Sequence, residues 1–304
     1  MFEPMLARSI EYRRTPEQVV AEFGRILHSP EWWFTQKIDG HRRAVTIGAD
    51  GTITGWSRKG TRADLPADIR ATLAELAVPA TFDGELVDGH LWLFDLVAAG
   101  VDDRIVNPGM PYGQRFRTLE ALIARWDPDP VVGLVPAARS VDEKVALFDQ
   151  LSRNGGEGLV AKHISAPYRC GFRSPQWQKV KFFRDVDCVI LSLGADKQNM
   201  QVGMYDPSRP PGKRWVQVGE VTRLNGDGLE AADLFTREQG KARPRRLVVT
   251  VKALYCPADT NHLVQPTKPR LRFDKRPTDC TIDQLDDIRP NKSVIPSLPV
   301  LEDT

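Results

Sequence analysis

Residues 32–42 read Trp32-Trp33-Phe34-Thr35-Gln36-Lys37-Ile38-Asp39-Gly40-His41-Arg42. The run 32–37 reads as a strand that delivers a lysine to its end, just ahead of an Asp-Gly pair. A strand-end lysine can be an ordinary charge. The pattern K-x-D-G-x-R has four fixed positions in six, so its meaning depends on the chain around it.

Upstream, Thr15-Pro16-Glu17-Gln18 is a helix start. Thr15 can cap, Pro16 suits the first helical position, and Gln18 completes a capping box. Val19, Val20, Phe23, Ile26 and Leu27 then share one helical face, and His28-Ser29-Pro30 ends the helix. Downstream, strands at 43–48 and 52–57 are joined by an Asp50-Gly51 turn. A helix is expected over 66–77, with Ile69, Leu73 and Leu76 inward. Strands 81–87 and 90–97 flank Asp88-Gly89, a favoured type I′ hairpin pair. Helices follow near 115–125 and over 141–153, the second behind a Ser140/Glu143 capping box. Strands return at 157–163 and 177–183.

Beyond Asp185 the character changes. Short β-rich runs at 187–194, 200–205, 214–222 and 246–255 are separated by Gly, Pro, Asp and Asn, with one helix expected at 229–237. That content suits a small barrel such as an OB-fold. The boundary is expected near Phe183–Asp187, and the Pro-rich tail after Ile288 reads as poorly ordered.

The 304 residues carry 42 Lys+Arg against 40 Asp+Glu, and 41% are hydrophobic. This average composition excludes wholesale disorder and a collagen-like fibre. No run approaches 18 apolar residues, so no membrane span is expected. The first 14 residues lack an apolar h-region, so no secretory signal is read there. The cysteines Cys170, Cys188, Cys256 and Cys280 form no CxxC pair, so neither a zinc site nor a disulfide scaffold is indicated and a reduced, cytoplasmic protein is the expectation. The histidines show no metal-ligand spacing. Charge is balanced overall but not locally. Arg169, Arg173, Lys179, Lys181 and Arg184 form one run without acids; Arg237, Lys241, Arg243, Arg245, Arg246 and Lys252 form another around Glu238 alone. Local stripes of this kind attract a phosphate backbone, although a solvated face explains an isolated run equally well.

Five further segments complete the pattern begun at Lys37: Ser57-Arg58-Lys59-Gly60; Phe82-Asp83-Gly84-Glu85 with Phe94-Asp95 on the partner strand; Glu157-Gly158-Leu159-Val160-Ala161-Lys162; Trp177-Gln178-Lys179-Val180-Lys181; and Arg272-Phe273-Asp274-Lys275. In this order and spacing the set resembles the ATP-dependent DNA ligases of the covalent nucleotidyltransferase superfamily, over roughly residues 4–288. The resemblance implies an α+β protein. A nucleotidyltransferase (adenylation) domain of antiparallel sheets flanked by helices would span 1–185, and an OB-fold β-barrel 186–304. With 36 residues ahead of Lys37, it implies the minimal two-domain form.

The same resemblance implies roles. Lys37 would attack the α-phosphate of ATP and hold AMP. A lysine attacks only when neutral, which desolvation and neighbouring cations favour. Arg42, Lys179 and Lys181 would neutralise the phosphate, the last two from one strand face. Glu85 would bind the ribose, Phe94 would stack on adenine, and Thr35 and Gln36 would meet the adenine edge. For Phe94 a core position is the rival reading; for Asp83 a structural role is preferred. Glycines 155, 156 and 158 would let backbone approach the nucleotide. Asp39 and Glu157 would hold Mg²⁺ or Mn²⁺, largely through water. Arg58 would bind the 5′-phosphate of a nick, for which the guanidinium fork is suited. Arg272, Asp274 and Lys275 would orient pyrophosphate, and the Arg237–Lys252 run would meet the DNA backbone. The implied partners are ATP and nicked duplex DNA, with a monomer expected and no membrane. An RNA ligase or capping-type enzyme of the same superfamily, and a non-catalytic nucleic-acid-binding module, are the alternatives.

Overall fold

The structure is a computed structural model and describes residues 2–13, 15–101, 104–195, 198–222 and 224–289. The tail read as poorly ordered lies, from residue 290, outside the described residues. Two compact units meet at Val180–Lys181.

The first unit runs β1 (Leu6–Ser9), α1 (Pro16–His28), β2 (Trp32–Gln36), β3 (His41–Ile47), β4 (Ile53–Trp56), α2 (Ala67–Glu75), β5 (Ala80–Val87), β6 (His90–Val101), β7 (Arg104–Val106), α3 (Tyr112–Trp126), β8 (Val132–Leu134), β9 (Ala137–Ala138), α4 (Val141–Arg153), β10 (Gly158–His163) and β11 (Arg173–Lys181). Both capping boxes form: Thr15 with Gln18 opens α1, and Ser140 with Glu143 opens α4. Asp88 and Gly89 take φ values of 47° and 78°, as a type I′ turn between β5 and β6 demands.

These strands make two sheets. One has the order β1-β11-β10-β2-β9; the other runs β4-β3-β5-β6-β7, with β8 alongside β6. Most pairings are antiparallel, and β1/β11 and β6/β8 are parallel. Trp33, Phe82, Leu93, Tyr112, Phe116 and Trp177 belong to one buried core that joins residues of both sheets and α3. Phe34, on the opposite face of β2, packs near Phe23 of α1.

The second unit holds β12 (Arg184–Leu193), β13 (Asn199–Tyr205), β14 (Trp215–Thr222), α5 (Asp227–Gln239), β15 (Val248–Ala253) and β16 (Thr267–Arg272). Its sheet is antiparallel throughout, in the order β14-β13-β12-β15-β16. A separate core of Val186, Cys188, Ile190, Val202, Val249 and Val251 packs with Ala231 and Phe235 of α5.

Among the described residues, five strands have no counterpart in the sequence pattern: β1, β7, β8, β9 and β16. Four have two to four residues, too few to display a period. The fifth, β16, contains Pro269, which reads against a strand but is tolerated at the sheet edge where β16 lies.

Candidate active site

Lys37 follows β2 directly, and its backbone N–H continues the ladder to Gly158 O at 2.8 Å. Gly158 takes φ 148°, a conformation that side chains with a Cβ rarely adopt, so glycine is required where the ladder passes Lys37. The Lys37 ammonium contacts the Glu157 carboxylate, which is buried. The Lys37 side chain retains about a quarter of its surface exposed, at 23%.

Glu85 lies beside this pair. On β3 and β5, Arg42 stands directly opposite Glu85, with Asp83 on the diagonal. Arg42 takes the diagonal partner: Nε and Nη2 each donate to an Asp83 oxygen at 2.6 Å, and Nη2 also donates to Met5 O at 3.1 Å. Burial opposes the Arg42 charge, but Asp83 outweighs it and raises the pKa above its ordinary value. Arg42 therefore commits Nε and Nη2 to protein, and none of these three contacts uses Nη1. Asp83 is fully buried and also accepts from Tyr168 Oη at 2.6 Å, which gives it the structural role that was preferred. Glu85 has no such fork. Burial pushes its carboxyl up to about 7, against the pull of Arg42 and Lys37 and with the repulsion of Asp83 and Glu157.

Phe94 completes the cluster. Its ring centroid is 4.6 Å from the Arg42 guanidinium carbon and 4.4 Å from Lys162 Nζ. The ring is partly buried against the core. The next residue, Asp95, forms a fully buried ion pair with Arg115 of α3, at 3.0 and 2.8 Å, which clamps β6 behind the ring. Lys162 closes the Glu157–Lys162 motif, and the resemblance implies no role for it. It is buried, donates to Phe94 O at 3.0 Å, and lies 4.5 Å from the Trp177 ring centroid. Burial lowers its pKa to about 7. Strand parity was the available signal for Lys162, which shares the face of Val160 on β10.

Parity also separates the side chains of Thr35 and Gln36. Trp33 packs on Tyr112 and Phe116, whereas Phe34 packs near Phe23 and α1. Successive residues alternate, so Thr35 shares the face of Trp33 and Gln36 shares that of Phe34. Their side chains therefore leave β2 on opposite sides. Gly156 needs correction: a Cβ there would lie 3.1 Å from Leu151 atoms, so it serves packing against α4.

Asp39 is exposed between β2 and β3. Among the described residues no group of three or more His, Cys, Asp or Glu could hold a metal by itself. Arg58 is exposed on the turn after β4, where Gly60 N donates to Ser57 O at 3.0 Å. Lys179 sits on β11 opposite Ser9 of β1. Lys181 opens the second unit, and its Nζ donates to Gln265 Oε1 at 2.8 Å. Also in that unit, Arg272 donates to both Asp274 oxygens at 2.7 Å, and Lys275 contacts Asp187. The Arg237–Lys252 run is partly neutralised. Lys241 and Arg245 pair with Glu238, and Lys252 pairs with Asp185. Among the described residues no helix is long and apolar enough to cross a membrane.

Comparison with known proteins bears on this arrangement. Residues 86–181 match the family model of the ATP dependent DNA ligase domain. A probable DNA ligase of Anaeromyxobacter sp. is 29% identical over 203 residues, covering 64% of this chain and 35% of that protein. One from Mycolicibacterium vanbaalenii is 31% identical, over 58% of this chain and 39% of its own length. This chain thus spans little more than a third of the length of these relatives. Among solved structures, a Lig E DNA ligase superposes with a TM-score of 0.59 at 21% identity, over 90% of this chain and all of that one. The chain therefore shares the fold of that structure. In sequence the chain is similar to the ATP-dependent DNA ligases, as its motifs imply.

Proposed function

We propose that the protein is an ATP-dependent DNA ligase that seals nicks in duplex DNA. The observation that carries the reading is the placement of a reachable lysine, Lys37, among Glu157, Glu85, Arg42 and the Phe94 ring. The other lysine of that cluster, Lys162, is 1% exposed and cannot reach a substrate phosphorus.

Lys37 Nζ attacks the α-phosphorus of ATP; the N–P bond forms as the bond to the leaving pyrophosphate breaks. Glu157, in contact with Nζ, orients the amine and is the carboxylate in reach of its proton. A 5′-phosphate oxygen of the nick, bound by Arg58, then displaces Lys37 from AMP. Attack by the 3′-OH finally joins the strands and releases AMP. Phe94 provides the base platform, Thr35 and Gln36 the base edge, and Glu85 the ribose contact. Arg42, Lys179 and Lys181 are assigned to the α-phosphate, and Arg272, Asp274 and Lys275 to pyrophosphate in the first step. The carboxylate donors Asp39 and Glu157 suit Mg²⁺, which one or two carboxylates hold together with substrate phosphates, so a three-carboxylate cage is not needed. The ion would neutralise phosphate charge.

Residues 1–185 form the adenylation domain in this reading, and 186–304 an OB-type barrel that contacts DNA. The five antiparallel strands of the second unit, with β12 between β13 and β15, support the barrel assignment. The test is label transfer from α-labelled ATP or GTP, followed by nicked DNA or nicked RNA. Label from ATP on Lys37, chased onto nicked DNA, is the expected result. The Lys37→Ala variant should lose that label yet still seal a nick whose 5′ end already carries AMP. An enzyme–AMP adduct on another lysine, or preference for GTP or RNA, refutes the proposal.

A further inference from the structure

Asp187 occupies an unusual place on β12. Its neighbours Val186, Cys188 and Ile190 include the core-facing side chains of the strand. On the other face, Val189 forms a small apolar cluster with Val248 and Cys280. Asp187, 8% exposed, belongs to that second face. A carboxylate in such surroundings is costly unless it is paired. Here it is paired on both oxygens. Oδ2 accepts from Lys275 Nζ; Oδ1 accepts from Thr250, its cross-strand partner, and faces Arg272 Nη1 at 3.5 Å. Burial works against the Asp187 charge, but the hydrogen bonds from Lys275 and Thr250 prevail and keep its pKa below the ordinary value.

The same contacts define where the two cations can be. Lys275 lies beyond the end of β16, on a segment with no ladder to hold it. Its stem is flexible, and its ammonium has three donors. One donor on Asp187 anchors the group and leaves the others for a ligand. Arg272 is anchored twice, by the Asp274 fork and by Nη1, which donates to Thr250 Oγ1 at 3.3 Å. Both cations keep about a third of their side-chain surface exposed. Phe273 between them is 80% exposed.

We infer that Asp187 is a positioning residue: it sets Lys275 and Arg272 in a fixed arrangement for binding pyrophosphate during lysine adenylylation. The inference rests on the ligase reading above and adds a residue outside the motifs. The experiment is a double-mutant cycle on the complete chain, comparing the wild type with Asp187→Asn, Lys275→Ala and the pair together. Two rates are read: single-turnover formation of enzyme–AMP from ATP, and sealing of a pre-adenylylated nick. Asp187→Asn should slow enzyme–AMP formation by about 10- to 100-fold, the effect of small misplacement of a reacting group. Sealing of the pre-adenylylated nick, which involves no pyrophosphate, should stay near the wild-type rate. In the Lys275→Ala background, Asp187→Asn should cost clearly less than it does alone, because the group it positions is gone. Full additivity overturns the inference, as does a wild-type first step in Asp187→Asn. If Lys275→Ala itself leaves the first step unchanged, the pyrophosphate assignment falls and the inference falls with it. If Asp187→Asn fails to fold, judged by melting and by loss of both reactions, Asp187→Ser takes its place in the cycle with the same expectations.

Discussion

Replacing Glu85 by Gln tests the electrostatics of the site without reference to any ligand. Burial raises this carboxyl from an ordinary 4.5 to about 7, and the neighbouring Arg42 and Lys37 compensate only in part. Between these two values the folded protein holds a proton that the unfolded chain has released. Stability therefore falls as pH rises through the window and is lowest, for this group, above pH 7. At about 1.4 kcal/mol per pH unit the whole window is worth at most roughly 3 kcal/mol. Gln cannot titrate. Relative to its own offset at low pH, Glu85→Gln should gain on the wild type by up to that amount between about pH 5 and pH 8. Urea unfolding at constant ionic strength measures the difference. Tryptophan fluorescence is the suitable probe, because six of the seven tryptophans (32, 33, 56, 92, 126 and 177) lie in the first unit. Carbon-13 titration of the Glu85 carboxyl gives the pKa directly. A stability difference that is flat across the window, or that grows in favour of the wild type, refutes the reasoning.

Phe94→Ala should weaken ATP binding roughly 5- to 150-fold if its ring is the base platform, since stacking contributes about 1–3 kcal/mol per base; a lower melting temperature with unchanged ATP affinity would instead make Phe94 a core residue. Asp83→Ala should destabilise the first unit by roughly 3–5 kcal/mol, because it leaves the Arg42 charge and the Tyr168 hydroxyl without their partner; an urea midpoint close to wild type would contradict this. Arg58→Ala should spare enzyme–AMP formation and impair transfer of AMP to nicked DNA, and an equal loss in both steps would place Arg58 at the nucleotide instead.

Local chemistry was legible where it acts over a few residues. The two capping boxes, the Asp88-Gly89 turn and the helix at 141–153 follow from short-range hydrogen bonding and from φ preferences that a neighbouring strand does not alter. The order and spacing of the motifs, from Lys37 to Lys275, likewise carried the relation to DNA ligases without coordinates. What the sequence could not determine is which charge answers which. Arg42 has two acidic candidates on β5 and takes the diagonal Asp83, leaving Glu85 half-buried beside it with a raised pKa; register and burial decide that choice. Thr35 and Gln36 are adjacent in sequence, yet the pleat sends them to opposite faces of β2. Lys162 and Asp187 look like ordinary strand charges in a linear reading. Their surroundings are assembled from β6, β11 and α3 in one case, and from β15, β16 and the residues beyond it in the other. Desolvation and ion pairing depend on groups brought together across many residues, so the partners and protonation of these side chains belong to the tertiary structure alone.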